Sequence, residues 1–180
     1  MQKKTFSVII LIFMMMFAES IFAQTAITVE NMPAIPDNDG FAGSLAGVSN
    51  GALVVAGGSN FPGGGRPWDG SKKKWYDHIL VLEKPNGTWK KAGKLPSPLG
   101  YAVSLTWKEG VVCVGGSNES GHEKKAFIMH WQKGEIVFED LPDLPITIAN
   151  GAGALLGNVL YIAGGLENPS DTCALKWVFS

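Results

Sequence analysis

Ala52-Leu53-Val54-Val55-Ala56-Gly57-Gly58, Val111-Val112-Cys113-Val114-Gly115-Gly116 and Val159-Leu160-Tyr161-Ile162-Ala163-Gly164-Gly165 are three apolar runs, each closed by a Gly-Gly pair. Short apolar runs rich in β-branched residues and bounded by turn residues read as buried strands. Further anchors recur around them. Val29 to Pro36, Trp89 to Pro96 and Phe138 to Pro145 are each seven residues, and Pro36 to Phe41, Pro96 to Tyr101 and Pro145 to Asn150 are each five. Three matches at two independent spacings make the period a property of the fold.

An apolar run, Gly-Gly, loop, second strand, aromatic anchor and Leu-Pro at a period of about 50 residues is the sequence mark of a kelch-type β-propeller blade. The reading is all-β. Strand a of each blade is expected at Phe41 to Val48, Tyr101 to Trp107 and Gly151 to Leu156, and strand b at Ala52 to Ala56, Val111 to Val114 and Val159 to Ala163. Strand c follows at Ile79 to Glu83, Ala126 to Trp131 and Ala174 to Phe179. The pairs Asn50-Gly51, Glu109-Gly110 and Gly157-Asn158 separate a from b, while Asn86-Gly87 and Lys133-Gly134 separate c from d. Such pairs permit the positive φ of a tight hairpin turn.

On this pattern residues 24–36 hold a closing outer strand near Ile27 to Asn31, 37–96 and 97–145 are blades, and 146–180 is an incomplete blade. That amounts to about three blades, fewer than the usual four to eight of a closed ring. The Gly-Gly intervals are 58 and 49 residues, and the excess has one location. From Gly58 to Trp89 is 31 residues against 22 from Gly116 to Phe138, so the loop from Ser59 to Trp75 carries a nine-residue insertion. Insertions of this kind map to one face, often the binding face.

With 180 residues, 46% apolar and 17% charged, the chain has the composition of a folded domain. A net charge of -1 and a pI near 6.3 provide no basic field for a phosphate backbone, which excludes nucleic acid as a partner. Lys3 and Lys4, an apolar core from Phe6 to Phe17 and Ala23 before Gln24 read as an export signal over residues 1–23. Its twelve-residue core is short of the roughly 20 that cross a bilayer, so no membrane attachment is expected after cleavage. The location implied is periplasmic or secreted. Cys113 and Cys173, in different repeats without a spacing signature, read as separate buried thiols rather than a disulfide. His78, His122 and His130 lack the spacing of metal ligands.

Gly40-Phe41-Ala42-Gly43, the run from Ser49 to Gly58, the Arg66 loop and Tyr101 to Trp107 together resemble the exported sialic acid mutarotases, or N-acetylneuraminate epimerases. The resemblance covers about Gly40 to Trp131 and, because these blades look C-terminal in the family while Asn150 to Gly165 looks N-terminal, it is to the cyclically permuted branch. It implies a six-bladed ring and interconversion of the α and β anomers of N-acetylneuraminate, without cofactor or metal. In the permuted order the blade carrying the family's proton-accepting glutamate follows residue 180, so a partial copy is expected.

Anomer exchange opens the sugar ring, which requires a base at the anomeric hydroxyl and an acid at the ring oxygen. The substrate carboxylate suits a guanidinium clamp. Arg66, the one arginine in the chain, lies in the enlarged loop. The resemblance implies substrate contact for Arg66 and for Tyr101, which fall where the family has an arginine and a tyrosine; with Asn60 these are the expected contacts, and Glu119 and Glu167 are the in-chain candidates for proton transfer. Asn118 and Asn150 belong to the same set of loops and links. Gly63-Gly64-Gly65 lacks the Gly-Lys-Ser/Thr of a phosphate loop, and Lys72-Lys73-Lys74 reads as a solvated flank. Trp68 and Trp75 are loop aromatics suited to sugar stacking.

The competing reading is a non-catalytic kelch module that binds a glycan or protein partner through the same loops. Open blade edges also allow self-association, two chains closing one ring by exchanging their leading outer strands. N-terminal sequencing of the protein exported from its native leader is expected to return Gln24 as the first residue.

Overall fold

The computed structural model describes residues 27–176 and 178–180. The expected export signal and residues 24–26 of the expected outer strand lie outside the described residues. The chain divides into units Met1–Asn31 and Met32–Ser180, and everything below concerns the second unless stated. In the first, the described Ile27–Asn31 carries no strand, and Ile27 and Val29 are both 89% exposed. The expected closing strand is thus absent over 27–36: a strand needs a ladder partner, and among the described residues none pairs with this stretch.

β1 (Leu45–Ser49) and β2 (Ala52–Ala56) lead through a ribbon of β3 (Ser59–Asn60) and β4 (Lys74–Trp75) to β5 (His78–Leu82) and β6 (Lys90–Lys94). The first sheet is β1-β2-β5-β6, antiparallel throughout. β7 (Val103–Trp107), β8 (Gly110–Val114), β11 (Ala126–Gln132) and β12 (Glu135–Leu141) repeat that order, with the ribbon of β9 (Ser117–Asn118) and β10 (Gly121–His122) between β8 and β11. β13 (Ala149–Leu156), β14 (Val159–Leu166) and β15 (Val178–Phe179) form a three-stranded sheet. The inserted residues lengthen the first ribbon and fold into 3-10 turns at Pro62–Gly64 and Pro67–Asp69.

Asn50 and Gly51, at φ 48° and 78°, make the expected two-residue hairpin, as do Lys133 and Gly134 at 51° and 88°. The β7 to β8 turn instead falls on Lys108-Glu109, one residue earlier than Glu109-Gly110, because Trp107 pairs with Gly110. Gly110 serves cross-strand packing: a Cβ there would lie 2.4 Å from Ile128 Cγ2. In the third sheet the strand expected over Ala174 to Phe179 narrows to β15. Its ladder pairs Phe179 with Ile162 and Val178 with Ala163, and upstream of it Leu175 N–H donates to Gly165 O as a single backbone bond. Cys113 is buried and Cys173 exposed, both free; Cys173 lies in the turn region before β15, which offers it no core.

Alternation along the strands divides the packing. Leu45, Val54, Ile79 and Val81 of the first sheet meet Val111, Cys113 and Met129 of the second. Val103, Val112, Val114 and Ile128 on the second sheet's other face meet Ile148 and Ile162. Successive side chains in a strand point to opposite faces, so β8, flanked on both, is buried at every position. Burial also pushes the Cys113 thiol far above its ordinary range. At the β1 edge, Ala46 N–H donates to Ser104 Oγ (3.0 Å) and Val48 N–H to Thr106 Oγ1 (2.7 Å), which covers backbone groups that would otherwise lie open.

The Gly-Gly pairs join one sheet to the next. Gly57 and Gly58 sit at φ 60° and 94°, Gly115 and Gly116 at 65° and 114°. Gly58 N–H donates to Leu99 O (2.8 Å) and Gly116 N–H to Ile148 O (2.7 Å), in each case on the link entering the following sheet. A Cβ at Gly115 would lie 2.3 Å from Ile148 O, whereas one at Gly40, also at positive φ, meets nothing within 4 Å. Gly115→Ala is expected to lower the unfolding free energy by about 3 kcal/mol or more, and Gly40→Ala by about 1–2 kcal/mol, as read from urea denaturation.

Candidate functional site

A serine follows the first two Gly-Gly pairs, and both are buried: Ser59 at 0% exposure and Ser117 at 6%. A buried hydroxyl requires a partner. Ser59 Oγ lies 3.2 Å from Tyr101 Oη. Ser117 Oγ donates to Gly121 O (3.2 Å) and lies 3.0 Å from His122 Nδ1. Ser117 thus satisfies Nδ1 of the imidazole, while Nε2 is buried without a partner.

Tyr101 is placed by its backbone. Its N–H donates to Gly43 O (2.7 Å) and its carbonyl accepts from Asn150 N–H (3.0 Å), a file of bonds that crosses all three sheets. Gly43, Tyr101 and Asn150 share the left-handed conformation at φ 64°, 57° and 59°. The structural equivalent of Tyr101 in the first repeat is therefore Gly43, two residues beyond the expected Phe41. There the link is lengthened by a turn in which Asp39 and Gly40 N–H both donate to Asp37 Oδ1. The Tyr101 ring lies over Gly43, where a Cβ would come 2.5 Å from Cδ1.

Tyr101 opens onto a broad cleft of about 740 Å³. One wall comes from Lys72, Lys73 and Trp75 at the end of the enlarged loop, another from Asn118, Glu119 and His122 on the second ribbon, and Asn150 comes from the third sheet. Lys73 Nζ donates to Tyr101 Oη (3.3 Å) and stands 4.8 Å from the Tyr101 ring centre, 5.1 Å from that of Trp75 and 5.9 Å from that of Phe61. Ammonium over aromatic faces is favourable. Trp75 meets Tyr101 edge-on at 5.8 Å. Partial burial would raise the Tyr101 phenol, but the hydrogen bonds from Ser59 and Lys73 and the Lys73 charge outweigh it and hold the phenol below its ordinary 10.0.

Of the expected site residues, Tyr101 and Glu119 line the cleft together with Asn118 and Asn150. Asn60 lies off it, its amide donating to Gly40 O (2.8 Å) and accepting from Tyr76 Oη (2.9 Å), so that it fastens the loop base. Arg66 is also outside the lining, exposed with its guanidinium 5.7 Å from the Trp68 ring centre and its N–H held by the Asp69 carboxylate. Glu167 too is absent from the lining; its carbonyl accepts from Thr147 Oγ1 (2.7 Å). Lys73 and His122 are the residues sequence reasoning missed. Lys73 sat in a lysine run with no distinguishing feature, and His122 acquires its role through the β9–β10 hairpin. Among the described residues no cluster of three or more His, Cys, Asp or Glu side chains could hold a metal. The cleft thus offers a cation, a phenol, a carboxylate and an indole, a set suited to a polyhydroxylated anion.

Residues 17–138 match the profile of the N-acetylneuraminate epimerase family. Among curated proteins, an N-acetylneuraminate epimerase of Yersinia pestis (strain Pestoides F) is 34% identical over 110 residues, 56% of this chain and 28% of the relative. One of Salmonella enteritidis PT4 is 38% identical over 97 residues, 49% of this chain and 25% of the relative. The chain thus spans about a quarter of the length of the curated relatives it matches. The solved structure of YjhT superposes with a TM-score of 0.57 at 26% identity, over 66% of this chain and 36% of that one.

Burial lowers both His78 and His122 from the ordinary 6.5; Asp37 and Asp77 oppose this at His78, where Lys91 reinforces it, and Asp171 opposes it at His122. A histidine whose folded value is depressed supports the fold fully above its unfolded value and loses that support as pH falls through the folded one. The urea midpoint is expected to decline as pH falls below about 6.5, the unfolded value, and to decline less in His78→Phe/His122→Gln.

Proposed function

The chain belongs to the N-acetylneuraminate epimerase family, and from that premise we propose that it is an exported sialic acid mutarotase-like protein that interconverts the α and β anomers of N-acetylneuraminate. The observation that carries the reading is the convergence of Lys73, Tyr101 and Glu119 on one cleft, within the segment that matches the family. Each contributes something that ring opening of a sugar acid uses. A cation meets the carboxylate on the anomeric carbon, while the phenol and the Glu119 carboxylate supply sites that give or take protons. The ring-opening step moves the anomeric hydroxyl proton to a base, breaks the bond from the anomeric carbon to the ring oxygen, and protonates that oxygen. Reclosure on the other face gives the second anomer.

In this reading the three sheets are blades of a kelch-type propeller, about half of a six-bladed ring, and the cleft lies where the blade links converge. The shared backbone of the Gly-Gly pairs and the file through Gly43, Tyr101 and Asn150 support it, as does the shared sheet order. Arg66 remains a proposed contact from the enlarged loop for a ligand larger than the cleft lining.

Exchange NMR on N-acetylneuraminate tests the activity. Addition of the protein is expected to broaden the exchange between the two anomeric signals in proportion to protein concentration, and Tyr101→Phe to reduce that rate by about 10-fold or more. Unchanged exchange with retained sugar binding would instead support the non-catalytic glycan-binding module.

A further inference from the structure

Lys73 is the cleft cation with a fixed setting. None of the salt bridges among the described residues involves it. Its side chain is exposed, yet the ammonium is located by three aromatic rings and one phenol oxygen rather than by a carboxylate. Its neighbours differ: Lys74 Nζ lies over the Tyr76 ring at 4.9 Å, and Tyr76 is tied to Asn60 at the loop base. A positioned cation without a counter-ion, open to solvent at a cleft wall, is a site for an anion.

Tyr101 supplies the second donor. Its oxygen accepts from Lys73 and meets the Ser59 hydroxyl, so with Ser59 donating, the phenol proton is free to point into the cleft. The two donor atoms are 3.3 Å apart, a spacing at which one carboxylate can receive a bond on each oxygen. Trp75, edge-on to Tyr101 and under the Lys73 ammonium, lines the cleft beside the pair.

We infer that Lys73 and Tyr101 form the carboxylate subsite of the cleft, taking the acid group of a sugar acid, with Trp75 beside the pyranose ring. The inference rests on the sialic acid reading and deepens it. The carboxylate and the exchanging hydroxyl share the anomeric carbon, so this anchor fixes the reacting centre in the cleft that Glu119 also lines. Arg66, outside the cleft lining, is not the anchor.

The test uses the full chain and a ligand that cannot open its ring: the methyl α-glycoside of N-acetylneuraminate and its methyl ester, titrated by NMR, with circular dichroism confirming each variant's fold. The intact protein is expected to bind the acid about 10-fold more tightly than the ester. Lys73→Gln is expected to remove most of that preference, with little loss toward the ester, while Lys74→Gln, whose ammonium lies over Tyr76 outside the cleft lining, changes neither by more than about 2-fold. Equal weakening of acid and ester by Lys73→Gln, or loss of the acid preference in Arg66→Gln with Lys73→Gln unaffected, overturns the subsite while leaving the sialic acid reading intact. Failure of the intact protein to bind either glycoside overturns both.

Discussion

The bond from the second glycine of each of the first two Gly-Gly pairs to the link entering the next sheet is the constraint on which the rest depends. Gly58 reaches Leu99 O and Gly116 reaches Ile148 O with the same backbone twist. A side chain at Gly57 or Gly115 would overlap the accepting carbonyl, so the approach of consecutive sheets is set by the lack of a Cβ at these two positions. Once the sheets stand at that separation, β8 can fill the cores on both sides with alternate residues. The hydroxyls of Ser104 and Thr106 then reach the open amides of β1.

The same device builds the cleft. The residue after each of the first two Gly-Gly pairs is a serine turned inward, and its hydroxyl must be satisfied within the protein. In one repeat the partner is the Tyr101 phenol, in the other the His122 imidazole. A repeated structural serine thus holds two different titratable groups, which lets repeats of similar framework present dissimilar chemistry. Tyr101 reaches its place through a left-handed backbone, which costs a tyrosine about 1–2 kcal/mol. Its bonds to Gly43 and Asn150 fix that conformation from both sides.

Strands with strict alternation and glycine-bounded ends were legible from the residues, and β2 falls on the expected Ala52 to Ala56. Position in the cleft was less so. Tyr101 stood out through its spacing from Pro96, and the spacing reports the backbone bond it makes. Asn60 matched a loop expected to face ligand, but its amide is spent on Gly40 and Tyr76. Lys73 could not be separated from Lys72 and Lys74 without the two-residue ribbon that fixes which lysine faces which rings. Glu109-Gly110 had the composition of a turn, yet the glycine was required by Ile128 across the ladder. In each case the residue type was informative and its partner lay too far along the chain to be read.

The third sheet carries the argument one step outward. Leu45 and Val54 correspond through the repeat to Val103 and Val112, and then to Ala152 and Tyr161. The first four are buried because the next sheet covers them, whereas Ala152 is exposed and Tyr161 is 38% exposed. Leu156, at 73%, continues the same row. This face has interior composition, since what buries its counterparts is a following sheet held by a Gly-Gly bond. In the proposed ring another blade would lie against it. The cleft is walled on that side by Asn150, Leu166 and Pro169, with no charged group among them.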